Sequence, residues 1–159
     1  MFLGIGLAVV AAGIGVTLIS TKGAHLELDG SILHVRVLSL NSNASIVVLD
    51  FRAKNPSDVQ FVVKNVELIL EPASGEPLTG TSISKADIDN VFKYDKIIGP
   101  KYNDVLSIRD KISGHQSVDR MDGARFELGE AAIDARKSIK LRIEDMDGTI
   151  AEITEKKGL

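Results

Sequence analysis

The sequence predicts a mainly β protein: an antiparallel β-sandwich with one short helical insertion, preceded by a single transmembrane helix. Three observations carry that expectation. The first 20 of 159 residues hold no charged side chain, so all 19 Lys and Arg and all 22 Asp and Glu lie beyond them. Asp-Gly pairs separate short alternating runs, a strong hairpin signal because a type I′ turn needs positive φ at both central residues. Strand-like runs follow one another without the strand-helix alternation of a parallel α/β fold.

The apolar run from Phe2 to Ile19, FLGIGLAVVAAGIGVTLI, gives about 27 Å of helix, enough to span a hydrocarbon core. A cleaved signal peptide would have basic residues ahead of the run and small residues at the cleavage site. Nothing basic precedes Phe2, so residues 1–21 are expected to be a retained anchor and residues 22–159 one sandwich domain. Gly4, Ala8, Ala12 and Gly15 share one stripe, joined by Ala11. This small-residue spacing lets transmembrane helices approach closely and marks a helix-docking face. Orientation rests on Lys22 alone before Arg36, which taken literally favours a cytoplasmic domain. Long domains translocate largely regardless of charge, and the expectation is an extracytoplasmic, periplasmic sandwich on the cell membrane, with the cytoplasmic side left open.

Along the domain, His25–Leu28 and Ser31–Val37 alternate around Asp29-Gly30 and predict a hairpin whose paired positions sum to 59. Ala44–Lys54 and Val59–Leu70 predict two more strands, broken by a turn at Asn55-Pro56-Ser57-Asp58, where proline fixes φ and holds Asn55 out of the α region. Pro72, Gly75, Pro77 and Gly80 punctuate turns around a short edge segment. From Ser84 the period changes. Ile88, Val91 and Phe92 recur at helical spacing behind a Ser84 cap, and Gly99-Pro100 stops the run. A second helix is predicted from Asn103, with Val105, Ile108 and Ile112 on one face and Gly114 after it. Together these define a helical insertion over about 84–113. Asp122-Gly123 predicts a turn before a short apolar segment, and Ile139–Ile143 with Thr149–Thr154 close the chain as a hairpin around Asp147-Gly148.

The stretch IVVLDFRAKNPSDVQFVVKNVELIL, followed by Gly75, Pro77-Leu78 and Gly80, resembles the late-embryogenesis-abundant type two family, or water-stress and hypersensitive-response domain. The resemblance rests on Asn55-Pro56, Phe61, Asn65-Val66 and the Gly75–Gly80 turn, with Asp134–Ser138 similar to a late turn of that family. It covers about half the chain. It implies an immunoglobulin-like or fibronectin-like sandwich, often behind a membrane or lipoprotein leader, serving as a binding, stress-protective or lipid-handling module. It carries over no catalytic residue. The insertion departs from the family pattern.

A net charge of −3 gives no general attraction to phosphate backbones, so nucleic acid is not an expected partner. The absence of cysteine excludes disulfides, thiolate catalysis and iron–sulfur clusters. In the predicted hairpin, His25 lies opposite His34 with Glu27 on the same face, a weak candidate site for a divalent metal. Asp87, Asp89 and Asp95 interleave with Lys85, Lys93 and Lys96 as a solvated helix face. Asp145–Gly148 imitates a calcium loop but places Ile143 first and Thr154 twelfth, where ligands are required. No Gly-rich phosphate loop, nucleophile elbow or zinc-protease motif is present. The expectation is a non-enzymatic module without cofactor that binds or braces a protein partner, as an accessory subunit of a membrane complex. The alternative is a tethered carrier of lipid or another apolar ligand.

Overall fold

A computed structural model describes residues 28–155. Two five-stranded sheets face each other. In the first, the order is β1 (Asp29–Asn41), β2 (Ala44–Lys54), β8 (Ser117–Phe126), β5 (Thr81–Ser82), with β6 (Asp104–Val105) also on β8. In the second it is β10 (Ile150–Thr154), β9 (Ser138–Asp145), β3 (Phe61–Glu71), β4 (Leu78–Thr79), with β7 (Lys111–Ile112) also on β3. Every pairing is antiparallel except β6 with β8. Two short helices complete the described residues, α1 (Lys85–Tyr94) and α2 (Glu130–Asp134). The predicted antiparallel sandwich is therefore present.

β2 is apolar without alternation because both of its faces are covered. Val47, Leu49, Phe51 and Ala53 enter the main core between the sheets, beside Phe61, Val63, Leu68 and Leu70 of β3 and Ile139, Leu141 and Ile143 of β9. Ile46 and Val48 face outward into a second, smaller core with Ile88, Ile98, Val105 and Met121. Each such fully buried aliphatic or aromatic side chain contributes about 1.5–3 kcal/mol. In β3 the inward positions change from odd to even numbers, because a register shift against β9 falls between Val63 and Asn65. A bulge of this kind re-aims the side chains after it.

The turn after β2 is built on Asn55, fully buried. Its Nδ2 donates to the carbonyls of Val59 at 2.7 Å and Ile112 at 3.0 Å, while its Oδ1 accepts from the Ser57 amide and hydroxyl. One side chain thus ties the β2–β3 turn to β7. Asn55→Ala should cost about 3 kcal/mol, since it leaves buried backbone groups unpaired. Urea denaturation should show a lower midpoint with an unchanged slope.

Several expected elements differ. Asp29-Gly30 is not a turn: both residues lie in β1, opposite Lys54 and Ala53. A Cβ on Gly30 would sit 2.4 Å from both the Arg52 carbonyl oxygen and Ile153 Cδ1, so this glycine admits close packing rather than a hairpin. Asp122-Gly123 likewise lies inside β8, opposite Leu49 and Val48, where Ile83 and Ile88 would crowd a Cβ on Gly123. Asp147-Gly148 does form the β9–β10 hairpin, with Gly148 at φ 86°. Of the insertion expected over 84–113, only Lys85–Tyr94 is helical. The predicted second helix is instead two short strands, β6 on the first sheet and β7 on the second. Val105 and Ile112 are buried on different sheets while Ile108 stays exposed, so their helical spacing reflects a crossover.

Candidate functional site

The insertion covers the outward face of the first sheet and is fastened there by polar groups. Ser84 caps α1: its hydroxyl accepts from the Asp87 amide at 3.1 Å and donates to the Asp87 carboxylate. Beneath, Asp50 of β2 is completely buried. Arg36 of β1 pairs with its Oδ2, and Asn103 Nδ2 donates to its Oδ1 at 2.9 Å. Arg36 Nη1 also donates to the Pro100 carbonyl at 2.7 Å. The guanidinium lies 4.6 Å from the Phe92 ring centroid and 5.3 Å from that of Tyr102, within cation–π range. His34 stacks on Tyr102 with centroids 5.6 Å apart. Arg36 thus holds the loop after α1 through the Ile98 and Pro100 carbonyls and the Tyr102 ring, while it meets Phe92 of α1 and is itself paired to Asp50 of β2. Tyr94 at the end of α1 and Ile97 and Tyr102 in the loop are exposed at the surface, Ile97 to 89%.

A second feature lies where the crossover passes the β3 bulge. A cleft of about 250 Å³ is bounded by Asn65 and Val66 of β3, Ile83, the start of α1, the 105–108 segment and Asp122 of β8. Asp122 is only 4% exposed, and its Oδ2 has no hydrogen-bond partner. Burial pushes its carboxyl up to about 7, against a smaller opposing hydrogen bond from the Gly123 amide. Val105 and Leu106 are buried beside it, whereas Ser84, Lys85 and Ile108 are exposed at the rim.

Of the expected metal group, only His34 is described, and it lies opposite Asp50 in register; His25 and Glu27 lie outside the described residues. Among the described residues, no three His, Cys, Asp or Glu side chains are placed to share a metal ion. The docking stripe of Gly4, Ala8, Ala11, Ala12 and Gly15, and the expected span over 2–19, also lie outside the described residues. No helix among those described is long and apolar enough to cross a membrane. Sequence reasoning missed Arg36, Asp50, Asn103 and Asp122. A signal existed for Asp50, a lone carboxylate inside the apolar run Ile46–Phe51, because a buried charge needs a partner.

These features define a two-sheet antiparallel β-sandwich domain with a helical flap on one face. No family model matches the chain, and no curated protein matches it. Two solved structures are similar. An uncharacterised β-sandwich protein from Clostridium difficile is 11% identical with a TM-score of 0.40, covering 81% of this chain and 85% of that one. The archaellum periplasmic stator protein FlaG from Sulfolobus acidocaldarius is 13% identical with a TM-score of 0.35, covering 80% of this chain and 98% of that one. At such identities and scores neither likeness bears on function.

Proposed function

We propose that this protein is a single-pass, membrane-anchored, non-enzymatic module of the late-embryogenesis-abundant type two kind, whose sandwich binds or braces a protein partner as an accessory subunit of a larger membrane complex. Residues 2–19 supply the anchor, with the Gly4–Gly15 stripe as its helix-docking face, and the sandwich stands on the extracytoplasmic side. The observation that carries the reading is the platform after α1. The last residue of α1 and the loop after it, held down by hydrogen bonds from Arg36 to the Ile98 and Pro100 carbonyls and from Asn103 to Asp50, leave Tyr94, Ile97 and Tyr102 exposed, and aromatic and aliphatic anchors are what protein interfaces use. Two of the three buried carboxylates are engaged structurally: Asp50 pairs with Arg36, and Asp145 accepts from the backbone amides of Val62 and Asp147.

Extraction of the full chain in mild detergent, followed by native sizing, tests this. The unaltered protein should run as part of a larger assembly, and Ile97→Glu should release it at the size of the single chain. A monodisperse single chain for the unaltered protein in several mild detergents would overturn the reading. Protease accessibility of the domain in spheroplasts decides the side: protection there would move the partner to the cytoplasm.

A further inference from the structure

The N-terminal segment joins the sandwich at one end, and the strand registers gather three loops around that point. Leu28 is buried, and β1 begins at Asp29, opposite Lys54 at the close of β2. Lys54 in turn lies opposite Ser117, the first residue of β8. Phe61 at the start of β3 pairs with Ile112 of β7, and Val63 pairs with Asp145, the last residue of β9. The turn over 55–60, the 107–110 loop and the β9–β10 hairpin over 146–149 therefore share the end at which Asp29 enters. Backbone bonds lock them together: the Arg109 amide donates to the Val63 carbonyl at 2.7 Å, and the Met146 amide to the Val62 carbonyl at 3.0 Å. Among the described residues, the two non-glycine positions with positive φ, Arg109 at 73° and His115 at 59°, also lie here. Such conformations persist only where the surroundings hold them, so these loops keep fixed shapes. Each of the three leaves one aliphatic side chain in solvent, Val59 at 48%, Ile108 at 65% and Met146 at 47% exposure.

We infer that this end of the sandwich rests on the bilayer that holds the anchor, with Val59, Ile108 and Met146 dipped into the headgroup region. The inference rests on the proposed anchor of residues 2–19 and is independent of the platform after α1. Residues 20–27 separate Ile19 from Leu28, and eight residues span at most about 29 Å when fully extended. The far end of β1, 13 residues long, lies about 40 Å beyond Asp29. A tether this short keeps the Asp29 end close to the bilayer, so contacts too weak to hold a free domain become effectively intramolecular. The three side chains carry no hydrogen-bonding group that must be stripped of water, and the Val59 carbonyl already accepts from Asn55 Nδ2 and Ser57 Oγ. Exposed Lys54, Arg109 and Lys111 are offset by exposed Asp29, Asp58 and Asp147, so charge neither drives nor bars the approach and the contact is apolar. A lipid surface fits better than a protein one. The three loops contain no aromatic residue, and single aliphatic tips set among charges suit a surface that moulds around each of them, whereas protein interfaces bury a contiguous, aromatic-rich centre.

The test uses the full chain, which has no cysteine, reconstituted at high dilution into phosphatidylcholine vesicles. Gln60→Cys on the 55–60 turn and Asn43→Cys in the β1–β2 turn, both exposed and at opposite ends of β2, each take one environment-sensitive fluorophore. At position 60 the emission should shift to the blue and be quenched by nitroxide-labelled lipid, while position 43 should show neither effect. Adding Val59→Ser, Ile108→Ser and Met146→Ser together should weaken the quenching at position 60 by about tenfold, because three apolar contacts are lost. All three positions are exposed, where substitution scarcely disturbs folding. Ile97→Ser on the platform should leave the quenching unchanged. Vesicle flotation separates the two readings. A chain that does not float overturns the anchor and this inference together, whereas a chain that floats with position 60 unquenched overturns this inference alone. A blue shift at position 60 without quenching by lipid would assign the end to a second copy of the chain and overturn it as well. Equal quenching at positions 43 and 60, or quenching that survives the triple substitution, would do the same.

Discussion

Replacing Asp122 by asparagine should stabilise the domain above neutral pH and change it little in acid. The Asp122 carboxyl is raised from an ordinary value near 3.8 to about 7 in the folded protein. An acid whose folded pKa is raised binds its proton more tightly in the native state. Below about pH 4 the group is protonated in both states and costs nothing. Between about pH 4 and pH 7 the unfolded chain ionises while the fold resists, so stability falls by about 1.4 kcal/mol per pH unit. Above about pH 7 the penalty levels off at roughly 4 kcal/mol. Asparagine is neutral throughout and escapes this slope. Its amide, like the protonated acid, leaves one buried polar group unpaired, so the two proteins should nearly coincide in acid. Urea denaturation of both across that pH range measures the difference directly. A parallel pair of profiles would sink the account.

Replacing Arg36 by methionine should cost about 3–5 kcal/mol, the usual consequence of leaving a buried charge without its partner. Asp50 is fully buried, and Asn103 would remain its only side-chain hydrogen-bond donor. Methionine keeps much of the stem's packing, which isolates the loss of charge and of the Ile98 and Pro100 contacts. The double variant Arg36→Met/Asp50→Leu should recover most of the stability, because replacing both members of a buried pair with apolar groups is often close to neutral. A double-mutant cycle by denaturation reads the coupling. Hydrogen exchange of residues 95–103 should quicken in both variants, since neither retains the guanidinium that holds the loop. A single variant within about 1 kcal/mol of the unaltered protein would refute a coupled pair.

How far residues revealed structure depended on how many neighbours decided each one. β2 spans the predicted Ala44–Lys54, and the final hairpin forms around Asp147-Gly148; in both, local pattern and tertiary demand agree. The same Asp-Gly pair fails at 29–30 and 122–123, where the glycine is required by a side chain from a distant element, Ile153 in one case and Ile83 in the other. Dipeptide signals carry no information about such approach. The 103–112 segment satisfied helical spacing because Val105 and Ile112 are buried against different sheets, which periodicity cannot separate from one buried face. The platform and the cleft were hidden for a related reason. Arg36, Asp50 and Asn103, or Asp122 and Val66, are brought together by topology, and each alone reads as an ordinary polar or strand residue.

The placement of Arg36 and Asp50 on neighbouring strands has a mechanical consequence. A pull arriving through the N-terminus enters the domain at Asp29, the first residue of β1. A load on the loop after α1 enters through Arg36 on that same strand and Asp50 on the next. The share that enters at Arg36 is carried by the covalent backbone of β1, whereas the share that enters at Asp50 passes from β2 to β1 along the strand direction, at right angles to the antiparallel hydrogen bonds that join them. Bonds loaded in that direction share the force, so the ladder resists as a sheared lap joint rather than opening one rung at a time.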